Sequence, residues 1–320
     1  MRRAVRGVGL LALLLAAWIV FGGWWGRGPL RHDSTFVVPD GAGLTVVAAR
    51  LEEKGAVVSA RAFRLRARLF ARGARIKAGE FALPAGASES QILHIISSDD
   101  ALRRFVTIAE GLPSIMVAEK LAATPALTGA VAAPAEGSVL PETYDYGRDE
   151  PRHAVLARMQ AAMTRTLAEE WAAREPGLPV KTAQEALILA SIVEKETGKP
   201  SERAMVAGLY ENRLRQGIML QADPTIIYPI TRGKPLGRRI RQSEIAAVNG
   251  YNTYAMTGLP QGPITNPGKA SIHAVLHPAR TDALYMVADG TGGHAFASTL
   301  EQHNANVQKW FAIRRARGEL

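Results

Sequence analysis

An uncharged, apolar run near the N-terminus constrains the fold of this chain more than any other feature, because it divides the protein between two sides of a membrane. No charged residue occurs from Gly7 to Gly26, and residues 10–21 are almost wholly apolar. A run of about 20 such residues is just long enough to cross a bilayer as a helix. We therefore predict a cytoplasmic tip and a transmembrane anchor over residues 1–28, with Trp24 and Trp25 near the membrane interface.

The charges that flank this run predict its orientation. The segment before it carries Arg2, Arg3 and Arg6. Because positively charged flanks stay in the cytoplasm, the N-terminus is expected there and the residues after Arg27 outside it. We expect a single-pass protein of the inner membrane with a periplasmic body. The alternative is a cleavable signal peptide, but two tryptophans interrupt the small residues at 22–26 where cleavage would occur.

The composition of the chain is that of a folded protein rather than a disordered one. With 320 residues, 47% of them apolar and 21% charged, the chain can form two modest domains after the anchor. The sequence contains no cysteine, which excludes disulfides, cysteine-based zinc sites and a thiolate nucleophile.

The net charge of +10 predicts an anionic partner. Nucleic acid, lipid headgroups and a wall polymer all fit this charge. Nucleic acid is excluded if the body lies outside the cytoplasm, and no nucleic-acid-binding motif is present. Six arginines in and after one predicted helix could be a binding stripe, although a solvated helix face is the more ordinary interpretation. They are Arg61, Arg64, Arg66, Arg68, Arg72 and Arg75.

The pattern of apolar residues predicts an α+β fold. A small module is expected over residues 35–100, a connecting region over 101–180 and a second domain over 181–320. Alternation predicts strands, and helical spacing with Ser88 as an N-cap predicts helices. The expected strands are at 35–38, 79–83 and 105–108, and the expected helices at 44–54, 61–70, 88–97, 114–121 and 153–174. Two later helices are expected to begin at Ser201 and at Ser298 with Glu301.

A helix is predicted to follow Thr182, and its far end, at residues 194–198, carries the strongest candidate for an acid–base group. Thr182 and Glu185 form a capping-box pattern, and residues 186–193 are so apolar that the helix must be largely buried. Glu194 and Glu196 point to different sides of this helix and do not form a pair. Burial and the helix dipole both raise the pKa of a carboxyl group at Glu196, as a general acid requires. The alternative is that these residues only solvate the helix end.

The polar and aromatic residues that follow this helix in the sequence are of the types that line sugar-binding clefts. Gln221, Asp223 and Thr225 alternate along a segment that a proline is expected to break. Tyrosine rings can stack on sugars, while amides and hydroxyls bind sugar hydroxyl groups. The other candidates lie in loops stiffened by glycine and proline and in a predicted hairpin at 284–288 and 294–297. They are Tyr251, Asn252, Tyr254, Asn266 and His294.

We predict no metal site and no cofactor. His273, His277, His294 and His303 have neither the HExxH spacing nor a nearby carboxylate pattern typical of zinc. Walker and dinucleotide-binding glycine motifs are also absent from the sequence.

Several of these runs resemble the endolytic murein transglycosylase family in sequence and in order. They are ASIVEKET at 190–197, LQADPT at 220–225, YNTY at 251–254 and GLP at 258–260. The resemblance extends upstream through KAGEF at 77–81, EG at 110–111, EG at 136–137 and PETY at 141–144, and so covers nearly the whole chain. The chain departs from the family pattern at Gln261, where proline is usual, and at Asn249 and Gly250, where Ser-Pro is common.

The resemblance implies a LysM-like module near the membrane and a lysozyme-like, helix-rich catalytic domain. It also implies that Glu196 is the catalytic acid and that Glu194 is secondary. Glu196 would protonate the oxygen between MurNAc and GlcNAc and then deprotonate the MurNAc C6 hydroxyl, which closes a 1,6-anhydro ring. Such cutting would terminate nascent glycan strands, with peptidoglycan synthases and elongation or division proteins as partners.

Two other functions fit the same residues. If Asp223 is a second catalytic carboxylate, the protein is a lysozyme-like muramidase, and the separation of the two carboxyl groups distinguishes the mechanisms. If Glu196 is only structural, the protein is a membrane-tethered scaffold that binds peptidoglycan.

Overall fold

The computed structural model describes residues 21–319 and has the α+β fold that the sequence predicts. The chain divides into two compact units. Among the described residues, unit 1 comprises those up to Arg104 together with Asp145–Asp149, and unit 2 comprises Phe105–Tyr144 and those from Glu150 onward. Most of the expected anchor lies outside the described residues. Within them, no helix combines the length and the apolar character needed to cross a membrane.

Unit 1 contains the predicted strands and helices in the predicted order. They are β1 (Ser34–Val38), α1 (Leu44–Glu53), α2 (Ala60–Phe70), β2 (Gly79–Leu83) and α3 (Glu89–Ser97). β1 and β2 pair antiparallel, which places Phe36 opposite Phe81 with both rings buried. Ser88 and Gln91 form a reciprocal capping box at the start of α3, as Ser88 predicts.

Two residues of unit 1 have surroundings that differ from those expected from the sequence. Trp24, expected near a membrane interface, is 4% exposed and its ring centroid lies 5.6 Å from that of Phe70. Arg66, expected on a solvated helix face, forms a 2.7 Å ion pair with Glu89, and both side chains are largely buried. The arginine-rich helix is therefore not uniformly solvated, because one of its arginines neutralises a buried carboxylate.

Unit 2 is rich in helices and contains short paired strands. The chain passes between the units within β3 (Arg104–Thr107), within β5 (Thr143–Tyr146) and again after Asp149. β7 (Tyr285–Ala288) and β8 (His294–Ala297) form an antiparallel hairpin, as predicted. The other elements are α4 (Ser114–Ala123), β4 (Leu127–Thr128), β6 (Glu150–Pro151), α5 (Arg152–Ala172), α6 (Ala183–Glu196), α7 (Arg203–Arg215), α8 (Asp223–Thr231), α9 (Gln242–Ile245), α10 (Lys269–Leu276) and α11 (Leu300–Ala316).

Two helix starts predicted from the sequence are wrong. Ser201 does not cap α7, because Pro200–Glu202 forms a short 3-10 turn and the helix begins only at Arg203. Ser298 does not cap α11. The cap is Thr299, whose hydroxyl accepts a hydrogen bond from the Gln302 amide.

Two further local predictions hold only in part. The Thr182 hydroxyl caps α6 by accepting a hydrogen bond from the Glu185 amide. The Glu185 carboxylate accepts from the Lys181 amide and not from the Thr182 amide, so the capping box is incomplete. The proline-containing segment after residue 222 is not broken. It forms α8, because Pro224 lies in the first turn, where its missing amide proton is not needed.

α6 lies in the core of unit 2 and positions the candidate site. Leu189 and Ile192 are fully buried, and α6 packs against α7 and α10. The Ser191 hydroxyl donates to the Ile188 carbonyl and accepts from the Ile264 amide, which attaches the glycine- and proline-rich loop to this helix. These contacts hold the C-terminal end of α6 in a defined place.

Candidate active site

Glu196 is the last residue of α6, and its carboxyl group is withdrawn from water. Its Oε1 atom is buried and has no hydrogen-bond partner among the described residues. Burial and then the negative charge of Asp223 raise the pKa of Glu196 to about 7. A hydrogen bond from Tyr210 and the positive charge of Arg213 act in the opposite direction. A carboxyl group tuned to neutral pH can both give and take a proton.

Glu196 lines a cleft of about 550 Å³ in unit 2. One wall comes from α7 and the end of α6, another from the start of α8, and a third from the β7–β8 hairpin and α11. The lining residues are Lys195, Glu196, Leu209, Tyr210, Arg213, Leu220, Gln221, Asp223, Pro224, Tyr254, Tyr285, Met286, Val287, Ala288, His294, Leu300 and His303. Gln221, Asp223, Tyr254 and His294, all candidates from the sequence, thus meet Glu196 in one cavity.

Asp223 lies at the start of α8, where the helix dipole favours a carboxylate. The Tyr254 hydroxyl donates a 2.6 Å hydrogen bond to Asp223 Oδ1. Burial and this contact raise the pKa of Tyr254, which therefore remains a donor. The cleft consequently holds two carboxyl groups in different surroundings, one buried at Glu196 and one exposed and hydrogen-bonded at Asp223.

Arg213 organises the cleft by binding backbone carbonyl groups. Its Nη1 atom donates to the carbonyls of Met219 and Leu220 at 3.0 and 2.9 Å, and its Nε atom donates to the Leu284 carbonyl at 2.6 Å. One guanidinium therefore connects α7, the segment before α8 and the segment before β7. The side chain is 8% exposed, so its charge acts through a low dielectric on Glu196.

His294 lines the cleft from the hairpin. Its Nδ1 atom lies 2.9 Å from Glu202 Oε2, and its amide donates to Glu202 Oε1. These contacts fix the imidazole orientation and leave its other nitrogen available.

Three of the candidate residues do not reach the cleft. Thr225, Asn252 and Asn266 are fully buried. The Thr225 hydroxyl donates to the Ala222 carbonyl and contacts the Thr253 hydroxyl. Asn252 donates to three carbonyls, those of Glu244, Ile245 and Ala247. Asn266 accepts from the Val139 amide and donates to the Leu112 carbonyl and the Ser114 hydroxyl.

Tyr251 and Glu194 also lie away from the cleft. Tyr251 packs at 4.7 Å against the Tyr228 ring and lines a separate cavity of about 520 Å³. Glu194 is a structural contact, since its Oε2 atom accepts from the Gly268 amide at 2.9 Å and from the Ser271 hydroxyl at 2.7 Å. It thus attaches the end of α6 to the start of α10.

Sequence reasoning missed Tyr210 and Arg213, although both line the cleft. They lie three residues apart on α7, where the buried residues also include the apolar Val206, Ala207 and Leu209 and one further charged residue, Glu211. Polar groups at that spacing within a buried apolar face are the signal that could have identified them.

Comparison with known proteins places the chain in a family. The model of the YceG-like family matches residues 36–309. The chain belongs to the YceG-like family. The motifs at 190–197, 220–225 and 251–254 lie within the matched region. The membership expected from the sequence is therefore confirmed.

Curated relatives match the YceG-like chain over part of their length. An endolytic murein transglycosylase of Bacillus subtilis (strain 168) is 31% identical over 179 residues, which is 56% of this chain and 49% of that protein. An endolytic murein transglycosylase of Streptococcus pneumoniae (strain ATCC BAA-255 / R6) is 34% identical over 179 residues, 54% of this chain and 31% of that protein. The alignments therefore span at most about half the length of these relatives.

A solved YceG-like structure has a similar fold. The crystal structure of a yceG-like protein from Listeria monocytogenes superposes with a TM-score of 0.52 at 25% sequence identity. The superposition covers 86% of this chain and 99% of that one. The superposition therefore includes at least part of both units, since 86% of the chain exceeds either unit alone.

Proposed function

We propose that this chain is a lytic transglycosylase that cleaves the glycan strands of peptidoglycan, with Glu196 as its acid and base. Membership of the YceG-like family and the names of the bacterial relatives support the reaction class. The observation that carries the proposal is the carboxyl of Glu196, which lines a cleft and has a pKa of about 7. A general acid that works near neutral pH needs such a carboxyl group.

The first step is protonation of the leaving group. Protonated Glu196 gives its proton to the glycosidic oxygen between MurNAc C1 and GlcNAc, and the C1–O bond breaks as positive charge develops on the MurNAc ring. The Tyr210 hydrogen bond and the Arg213 charge stabilise the carboxylate that remains on Glu196. Asp223 supplies negative charge in the same cleft, where it favours an oxocarbenium-like transition state.

The second step returns the proton to the enzyme. The Glu196 carboxylate removes the proton of the MurNAc C6 hydroxyl, whose oxygen attacks C1 and closes the 1,6-anhydro ring. One C–O bond is broken and one is formed, Glu196 is protonated again, and no water is consumed. A single carboxyl group with a pKa near neutrality is sufficient for both steps.

Hydrolysis is the second candidate reaction, and the position of Asp223 is the observation that favours it. Asp223 shares the cleft with Glu196 and lies close enough for its charge to raise the pKa of Glu196. A muramidase would use such a pair to bind or activate a water molecule or to form a covalent intermediate. Its products would carry reducing MurNAc ends instead of anhydro ends.

The test compares two isosteric substitutions on the same helix end. Purified peptidoglycan is digested with the full chain, with Glu196→Gln and with Glu194→Gln, and soluble products are analysed by mass spectrometry. We expect a loss of about a hundredfold or more in Glu196→Gln. Glu194→Gln keeps an acceptor for Gly268 and Ser271, so it should retain most activity.

Each outcome distinguishes between the candidate functions. Anhydro-MurNAc ends that disappear in Glu196→Gln support the transglycosylase. Reducing ends show a hydrolase and direct attention to Asp223. If folded wild-type protein binds peptidoglycan without cleaving it, the function is that of a scaffold.

The cellular setting is part of the same proposal. The charge-free run that ends at Gly26, with arginines before it, supports anchoring at the inner membrane with a periplasmic body. The strand–helix–helix–strand order of unit 1 and its arginine-rich α2 support a LysM-like role in wall binding. Termination of nascent strands would bring the protein near peptidoglycan synthases and elongation or division proteins.

A further inference from the structure

Unit 2 contains a group of possible metal ligands that does not line the cleft. Glu170 lies in the last turn of α5, His273 on α10, and His277 directly after α10. One ligand atom from each of the three lies within 4.8 Å of the others. Glu170 Oε2 is 2.8 Å from His273 Nδ1, and the two imidazole rings stack with centroids 4.3 Å apart.

The spacing of the two histidines and the packing of two helices produce this group. His277 is the C-cap residue of α10, four positions after His273, and the two imidazole rings stack at this end of the helix. The carboxylate comes from a residue about a hundred positions earlier, because α5 packs against α10. The Glu175 amide donates to the Leu276 carbonyl at 3.0 Å, which holds the two helix ends together. No carboxylate near the histidines in the sequence could have indicated the site.

The donor set and its geometry fit a borderline transition metal. Two imidazoles and one carboxylate are ligands that Zn²⁺ prefers, with bonds of about 2.0–2.2 Å. Ligand atoms in a tetrahedral zinc site are then about 3.3 Å apart, close to the present Glu170–His273 contact of 2.8 Å. Only small side-chain movements are needed to place all three atoms around one ion.

The surrounding charges are compatible with such an ion. Lys269 Nζ lies 3.5 Å from Glu170 Oε1, so it can keep this contact while Oε2 binds the metal. Glu175 Oε1 lies 4.0 Å from His277 Nδ1 and is the available protein ligand for a fourth position, which water can also fill.

We propose that Glu170, His273 and His277 form a site for a divalent transition-metal ion, with Zn²⁺ the best fit, that joins the C-terminal ends of α5 and α10. The ion has access to the site, since the His273 side chain is 58% exposed. The start of α10 carries Ser271, which binds Glu194 at the end of α6. The metal thus stabilises the scaffold behind the cleft and takes no part in the reaction.

The test is a calorimetric titration of the untagged full chain with ZnCl₂ alone. We expect one saturable ion per chain, and binding weaker by roughly tenfold or more in His273→Ala and in His277→Ala. His153→Ala is the matched control, because His153 is exposed on α5 and about 25 Å of helix separates it from Glu170. This control should bind Zn²⁺ as the wild type does.

A second measurement separates loss of the site from loss of the fold. Thermal denaturation without metal should give the same midpoint for the wild type and for His273→Ala. Added Zn²⁺ should raise the midpoint only of proteins in which the site is intact. No saturable binding by the wild type would overturn the proposal. Equal affinity in His273→Ala and the wild type would do so too, since it would mean adventitious surface binding.

Discussion

At Glu196, burial and the charge of Asp223 act in the same direction, and both favour the protonated carboxyl group. The sequence predicts the burial, because the preceding residues of α6 are apolar. The sequence does not predict that Tyr210 and Arg213 lower the pKa of Glu196, since the packing of α7 decides where their side chains point. The balance between these four side chains sets the pH range in which the proposed acid can work.

The pH dependence of cleavage should report this balance directly. Only protonated Glu196 can donate, so kcat/KM is expected to fall as pH rises through about 7. Asp223→Asn removes a charge that raises the pKa of Glu196 and should move this alkaline limb to lower pH. Tyr210→Phe removes a hydrogen bond that favours the carboxylate and should move it to higher pH.

The two substitutions control for each other, because both alter the cleft but shift the limb in opposite directions. The position of the limb is the readout, since a change in the height of the profile would follow from any damage to the cleft. Shifts in the same direction for Asp223→Asn and Tyr210→Phe would contradict the electrostatic account.

A raised carboxyl pKa also makes the folded state less stable at alkaline pH. Between pH 4.5, the ordinary value, and about 7, the folded state keeps the Glu196 proton that the unfolded state releases. Stability therefore falls over this range, by up to about 3 kcal/mol above pH 7. Glu196→Gln should be more stable than the wild type at pH 8 and equally stable near pH 4.

Urea denaturation of both proteins at the two pH values measures this difference. Because glutamine has nearly the shape of glutamic acid, packing is matched between them. An equal free energy of unfolding at pH 8 would mean that the Glu196 carboxyl is not held in its neutral form.

The candidate residues differ in how far the sequence could place them. Asp223 and Tyr254 lie beside the cleft as their chemistry suggests. Thr225, Asn252 and Asn266 have equally suitable side chains, but these bind backbone groups of the surrounding loops instead. Side chains in loops have no periodicity that indicates the direction in which they point. Residue type alone therefore cannot distinguish a side chain that binds sugar from one that binds the backbone of its own loop.

At the scale of elements, α6 is held at its C-terminal end by Glu194. The side chain is 5% exposed and accepts hydrogen bonds from Gly268 and Ser271 at the start of α10. Arg203 lies 3.7 Å from its other oxygen. The residue expected as a secondary catalytic group therefore positions the helix that carries Glu196.

Glu194→Ala should destabilise unit 2 by about 2 kcal/mol, because it leaves two buried donors without an acceptor. The midpoint of urea denaturation, followed by circular dichroism, measures this effect. Glu194→Gln, which retains an acceptor, and Lys195→Ala, which removes an adjacent exposed side chain, are the controls and should lose less. An unchanged midpoint in Glu194→Ala would refute the anchoring role.

Helices were easier to predict than the residues that begin them. The apolar spacing of α1, α3, α5 and α6 identifies them within one or two residues. The errors occur at Ser201 and Ser298, where several polar residues adjoin the helix and more than one could cap it. α7 begins after a 3-10 turn, and α11 is capped by Thr299 instead of the neighbouring Ser298. Neither feature produces a periodic pattern in the sequence that could have predicted it.

At the scale of the whole molecule, the net charge of +10 predicts salt-sensitive binding to an anionic wall. Binding of the Glu196→Gln variant to insoluble peptidoglycan should weaken as NaCl rises from about 0.1 M to about 1 M, over which the Debye length falls from about 10 Å to about 3 Å. Sedimentation of the bound fraction measures this. Chitin, an uncharged polymer, is the control, and salt-independent binding to peptidoglycan would contradict the role of charge.

The most direct test of the proposed reaction follows the fate of water during cleavage. Peptidoglycan is digested by the full chain in heavy-oxygen water, beside the Glu196→Gln variant, and the new glycan ends are weighed by mass spectrometry. We predict ends that lack one water, carry no heavy oxygen and vanish in the variant, because the MurNAc C6 hydroxyl is the nucleophile. Reducing ends that incorporate heavy oxygen, or cleavage that survives Glu196→Gln, would contradict the account.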